Sequence, residues 1–316
     1  MRDIPNTTLT AIPGILVGHA TDTVVHTGCT AVLCPEGFVP GVYVPGFAPA
    51  SRETDLMRPE ALVDRVHGIC LAGGSAFGLA AATGVVRFLR EADKGFPTAF
   101  GRVPIVPAAA LFDLDLNTAP GFLPDENMGY TAASAANDLP VPQGSTGAGT
   151  GARCGRVAGF DGAAKSGLGS FAMEHGDVRV AALAVVNALG NVYDPDTGEW
   201  LAGGHDAAGR RMEGPVLYDA LAARLDVPKL NTVLIVVATN VALDKTGTSR
   251  LARMAATGLP RVLRPAHMLS DGDIVFALSA PRGLFPSAPR ADIDLLGILG
   301  AEAVARAIAL AVMHSV

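Results

Sequence analysis

Charge and aromatic rings are what this chain has least of. Asp, Glu, Lys and Arg together supply 17% of its 316 residues, and Phe, Trp and Tyr only 5%. Small aliphatic side chains, chiefly Ala and Val, therefore have to fill the core. A formal net charge of −6 with no Lys/Arg cluster excludes the basic footprint that nucleic acid requires. The four cysteines, Cys29, Cys34, Cys70 and Cys154, lack any CxxC spacing, which argues for buried reduced thiols rather than a zinc site or a redox pair. His19, His26, His67 and His267 are dispersed, with no i, i+4 pair and no neighbouring carboxylate pattern, so no metal is expected. Long apolar runs are missing as well: Gly or charge breaks each one before a membrane-spanning length, and Met1-Arg2-Asp3-Ile4-Pro5 has no apolar core of a signal peptide. The expectation is a cytoplasmic protein with no membrane role.

What is present points to a folded, associating protein. Hydrophobic residues reach 49% and there are 37 Gly and 22 Pro, so turns are frequent and little charge remains to cover the surface. Part of that surface is expected to be covered by other subunits, which makes an oligomer the expectation. Apolar runs at 15–19, 28–34, 41–44, 67–72, 178–186, 232–239 and 273–278 read as strands. Helices are expected at 76–92, with Ser75 as its N-cap, at 127–137, at 248–258 and at 292–313, the last apolar nearly all round and so buried or at an interface. The segment 51–59 reads as a loop, and 202–227 as polar and exposed. No linker divides the chain, and mixed strands and helices imply one layered α/β or α+β domain spanning 1–316.

The junction Asn231-Thr232 opens the uncharged run 232–239, a strand whose first residue carries a hydroxyl. By itself Thr232 is an ordinary strand-start residue. Cleavage of the Asn231-Thr232 bond would add a free α-amine to the same residue, and such an amine, with a reference pKa of about 7.7 to 8.0, can accept the hydroxyl proton. Asp271 and Asp273, two apart, project to one face; they read either as a solvated turn or as a carboxylate pair that orients an amine and moves a proton. Asn187, at the end of an apolar strand, is an Asx-turn residue or a donor to a developing oxyanion. Gly147 to Ala152 fits G-x-G-x-x-A formally, but no strand leads into it, so a close-approach backbone loop lining a pocket is preferred to a dinucleotide site. Gly73-Gly74-Ser75 follows a strand and opens a helix, a common place for ligands.

Taken together, Gly14–Ala20, Thr27–Val32, Cys70–Leu79, Gly147–Ala152, Lys165–Gly169, Asn231-Thr232 and Asp271-Gly272-Asp273 resemble the self-processing peptidases and amidases of the P1 type, peptidase family S58. That group includes L-aminopeptidase/D-amidase/esterase, β-peptidyl aminopeptidases and nylon-oligomer hydrolases. The resemblance implies a four-layer α-ββ-α sandwich like that of N-terminal nucleophile hydrolases. It implies self-cleavage between Asn231 and Thr232 into chains 1–231 and 232–316, assembly as several such heterodimers, and no cofactor. Thr232 would be nucleophile and base, Asn187 the oxyanion-side amide, Asp271 and Asp273 the acids, with Gly73 and Gly74 in the substrate pocket. Two positions depart from the pattern: Phe112 stands where a Tyr is expected, and Arg156 where nylon-oligomer hydrolases carry a Lys. The implied activity is hydrolysis of amide bonds in small peptides or amino-acid amides. Hydrolysis of 6-aminohexanoate oligomers and, because of Phe112 and Arg156, a non-catalytic metabolite-binding role remain as alternatives.

Overall fold

The computed structural model describes residues 6–114, 122–223, 231–284 and 289–315. Its main sheet has nine strands: β1 (Leu16–Asp22), β2 (Thr27–Tyr43), β3 (Ala50–Arg52), β4 (Val66–Ala72), β5 (Ala108–Ala110), β6 (Leu168–His175), β7 (Val178–Asn187), β8 (Thr232–Thr239) and β9 (Ile274–Ser279). Their order is β6-β7-β8-β9-β2-β4-β5-β3, with β1 also paired to β2. The pivot is the 17-residue β2, whose first half pairs with β1 and β4 and whose last residues pair with β9. One half of the sheet thereby folds over the other.

Side-chain alternation shows the layers. On β7, β8 and β9, Leu183, Val185, Leu234, Val236, Ile274 and Phe276 join a core with Val17, Val32, Ile69 and Leu71 of the facing half-sheet. Their chain neighbours Ala182, Ala184, Val233, Ile235, Val237 and Val275 point the other way, into a core with α4 (Lys245–Ala255) and α5 (Ile293–Met313). The outer face of the second half-sheet, through Ala31, Leu33, Cys70 and Ala72, packs on α1 (Ala81–Glu91) and α2 (Glu126–Ser134). The result is helices, sheet, sheet, helices. Strand β8 is buried at all eight positions because it has a layer on each side, which is why its sequence is a continuous apolar run and not an alternating one. Each Val, Leu or Ile so enclosed contributes roughly 1.5–3 kcal/mol relative to exposure. Asp125, Asp244 and Asp292 cap α2, α4 and α5 by accepting the N–H groups of Met128, Gly247 and Asp294.

Several expectations need correction. Ser75 is not a side-chain cap: Gly74, with φ 79°, precedes a 3₁₀ turn at Ser75–Ala80, Ser75 itself has φ 55°, and α1 starts only at Ala81. The loop expected at 51–59 begins inside β3, which pairs with the all-alanine β5. The stretch 202–227 holds helix α3 (Gly214–Ala223), whose Leu217 packs on Val157, Leu189 and Met212; its last residues lie outside the described ones. Helix α5 is long and apolar enough to cross a membrane, although no such run was expected, but 72% of that window is buried within the fold. It is the core helix of the first layer.

Candidate active site at the Asn231-Thr232 junction

Topology gathers the polar residues at one end of the sandwich. Strands β8 and β9 are parallel, so their N-termini, Thr232 and the residue after Asp273, share one edge. Strand β7 is antiparallel to β8 and delivers its last residue, Asn187, directly opposite Thr232. By alternation Thr232 lies on the same face as Leu234, and Asn187 on that of Val185, so both side chains belong to the face between the two sheets. All four of Asn187, Thr232, Asp271 and Asp273 are at most 5% exposed.

The carbonyl of Asn231 is the best-held atom of the cluster. Its oxygen accepts from the Gly272 N–H at 2.7 Å and from the Thr232 hydroxyl at 2.6 Å. Asn231 also forms an isolated parallel bridge to Asp271. The Gly272 N–H draws electron density toward that oxygen and is placed to stabilise an oxyanion there, while the Thr232 hydroxyl lies against the same carbonyl. Room for this depends on Gly272, since a Cβ there would lie 2.8 Å from Thr232 Oγ1 and 2.8 Å from the Ala48 carbonyl.

The two acids have different surroundings. Asp273 accepts the Val233 N–H at 2.8 Å on Oδ1, while Oδ2 receives His267 Nδ1 at 2.9 Å and the His267 N–H at 3.3 Å. Asp271 accepts the Met268 N–H at 2.8 Å on Oδ2, and its buried Oδ1 has no hydrogen-bond partner among the described residues. Burial, and then the neighbouring charge of Asp273, push the Asp271 carboxyl up to about 7, against the pull of the Met268 N–H. The structure thus makes Asp271 a group that gains and loses a proton near neutrality.

Asn187 is tied on both sides of its amide. Nδ2 donates to the Phe112 carbonyl at 2.7 Å, and Oδ1 accepts from the Arg153 N–H at 3.2 Å and from Arg156 Nη1 at 3.4 Å. Phe112 therefore enters through its backbone, and Arg156 as a fixed charge beside the amide. Gly73 and Gly74 stand one connection further out: the Gly74 N–H donates to Asp113 Oδ1 at 2.7 Å, and Asp113 follows Phe112. The turn Gly147–Gly149 packs its N–H groups on the hydroxyls of Thr21 and Thr30, a close backbone approach.

Two residues named in the sequence reading were given no role there. Lys165, on the short strand paired with Arg153, donates to the carbonyls of Gly149, Ala152 and Ser166, and burial brings its amine down to about 8. It is the titratable cation of the region, a role Arg156 cannot fill; its one signal is a lysine amid small residues in a chain poor in charge. His267 gave no signal, because its approach to Asp273 comes from a loop with no fixed period.

The model of peptidase family S58 matches residues 7–316. An uncharacterized aminopeptidase of Mycobacterium bovis is 40% identical over 306 residues, covering 91% of this chain and 86% of the relative. A 6-aminohexanoate-oligomer endohydrolase of Agromyces sp. is 30% identical over 281 residues, covering 88% of this chain and 76% of the relative. Among solved structures, the L-aminopeptidase D-Ala-esterase/amidase of Ochrobactrum anthropi superposes with a TM-score of 0.71 at 21% identity, covering 98% of this chain and 87% of that one. The α-ββ-α layering is the variant of the Ntn hydrolase fold seen in that enzyme.

Proposed function

This chain belongs to peptidase family S58, the aminopeptidases and amidases, and from that premise we propose that it cuts its own Asn231-Thr232 bond and then hydrolyses small peptides or amino-acid amides through Thr232. The observation that carries the reading is the Asn231 carbonyl oxygen held between the Gly272 N–H and the hydroxyl of the next residue. In the uncut chain Thr232 Oγ attacks the Asn231 carbonyl carbon. The C–N bond breaks, an ester forms, and the hydroxyl proton passes to the departing nitrogen through the acid pair. Water then cleaves the ester, restoring the hydroxyl and leaving Thr232 with a free amine.

In the mature enzyme that amine accepts the hydroxyl proton as Oγ attacks the substrate carbonyl. The Gly272 N–H and the second hydrogen of Asn187 Nδ2 stabilise the oxyanion. Asp271 in its neutral form gives a proton to the leaving amine, and Asp273 holds the first peptide unit of β8 through Val233. Water releases the acyl group. A second reading, hydrolysis of 6-aminohexanoate oligomers, is favoured by the acid pair and by the Agromyces relative. Fully or largely exposed apolar side chains such as Phe100 and Leu62 support assembly of the cut chains into a larger oligomer. Intact-mass measurement tests the core of the proposal: fragments 1–231 and 232–316 are expected from the wild type, with Thr232→Ala intact and inactive. Amide hydrolysis by material with no threonine-initiated fragment would overturn it.

A further inference from the structure

His267 has a geometry that the chemistry above leaves without a use. Its φ of 58° lies in the left-handed region, which residues other than glycine seldom occupy and which clusters at functional sites. In that conformation its backbone N–H and its ring Nδ1 both reach Oδ2 of Asp273. The next residue repeats the pattern, Met268 N–H donating to Asp271 Oδ2. One short loop therefore addresses both acids. Asp273 receives three donors in all, with its other oxygen on the N–H of Val233, the residue bonded to Thr232. Its side chain is 2% exposed, whereas that of His267 is 25% exposed, so the imidazole is where this chain of hydrogen bonds reaches water.

A carboxylate oxygen can only accept, so Nδ1 carries the hydrogen, and the neutral ring is held as the Nδ1–H tautomer with Nε2 as its free acceptor. We propose that His267 is a positioning residue for the reaction at Thr232, locking the Asp273 carboxylate against the first peptide of β8 so that the Thr232 hydroxyl and amine keep the attacking geometry. The inference rests on the reading of Thr232 as nucleophile. Without the ring hydrogen bond, Asp273 Oδ2 keeps only the longer 3.3 Å bond from the His267 N–H, the carboxylate holds the Val233 N–H less firmly, and the nucleophile drifts. Substrate binding is not touched, so the loss falls on the chemical step.

The test compares wild type, His267→Ala, His267→Asn and Thr232→Ala for the rate of appearance of the 232–316 fragment and for kcat and KM on an amino-acid p-nitroanilide. In His267→Asn the amide nitrogen takes the place of Nδ1. His267→Ala is expected to lose roughly ten- to a hundred-fold in kcat and in processing rate, with KM changed by less than about two-fold. His267→Asn is expected to recover most of that loss. Wild-type kcat in His267→Ala, a change confined to KM, or equal losses in Ala and Asn would overturn the proposal. Histidine-labelled wild-type protein gives an independent check that needs no variant: ¹⁵N shifts placing the His267 hydrogen on Nε2 would also overturn it. Turnover by Thr232→Ala would sink the nucleophile reading instead, which keeps the two failures apart.

Discussion

Asp271 is 3% exposed, and burial together with the charge of Asp273 raises its carboxyl to about 7. Between the ordinary carboxylate range and that value, the folded protein holds a proton that the unfolded chain has released. The stabilisation from this group is complete below the unfolded value and is lost as the pH rises through the folded one. Melting temperature should therefore fall between about pH 4 and pH 7 through this residue, and Asp271→Asn, a neutral isostere, should flatten that slope. At pH 8 the variant should be the more stable protein, by at most on the order of 4 kcal/mol; a variant that melts below wild type there would refute the argument. Activity runs the same way with pH. On the proposed mechanism neutral Asp271 supplies the leaving-group proton, so kcat should decline as pH rises through about 7, and Asp271→Asn should lose both the activity and that limb. A second change at this scale is Gly272→Ala, whose new methyl meets Thr232 Oγ1 and the Ala48 carbonyl. It should leave the precursor uncut on a denaturing gel, and normal processing would show that the junction tolerates a methyl at this position.

At the level of elements, the crossing of α1 and α2 depends on two glycines placed reciprocally. A Cβ at Gly84 would strike the Glu126 carbonyl, and one at Gly129 would strike the Ala81 carbonyl. Gly129→Ala should therefore destabilise the protein by about 1–3 kcal/mol, read as a lower urea midpoint with an unchanged slope; an unchanged midpoint would mean that the helices separate freely. The strands that form the core were legible in the sequence because a doubly covered strand has to be apolar through its covered length, as 180–186 and 233–238 are. Strand β5 was not legible: Ala108–Ala110 has no strand propensity to speak of and is extended because it pairs with β3 and β4. Ser75 was misread for a related reason, since its N–H is engaged by the Leu111 carbonyl and the helix begins after a tight turn. Within the site, Asn187, Thr232, Asp271 and Asp273 could be picked out because each stands at a strand end in the sequence. His267 and Lys165 reach their partners through loops and short pairs, where spacing carries no information about contact.

For the molecule as a whole, the proposed break would leave pieces of 231 and 85 residues. They should co-elute in native size exclusion and separate only under denaturant, because β8 lies between β7 of the longer piece and β9 of the shorter, and α5 packs over β6 and β7. Early separation in native buffer would contradict both the placement of β8 and its burial. Light scattering on the same column would test the oligomer, with a mass of one αβ pair counting against it.

The interior position of β8 has one more consequence. A polypeptide severed in the middle of its sheet has lost the connection that brought those strands together, so unfolding becomes a one-way event. Mature protein melted and cooled should recover little activity while uncut Thr232→Ala, treated alike, regains its structure. The enzyme's lifetime would then be governed by how fast it opens, and not by an equilibrium between folded and unfolded forms.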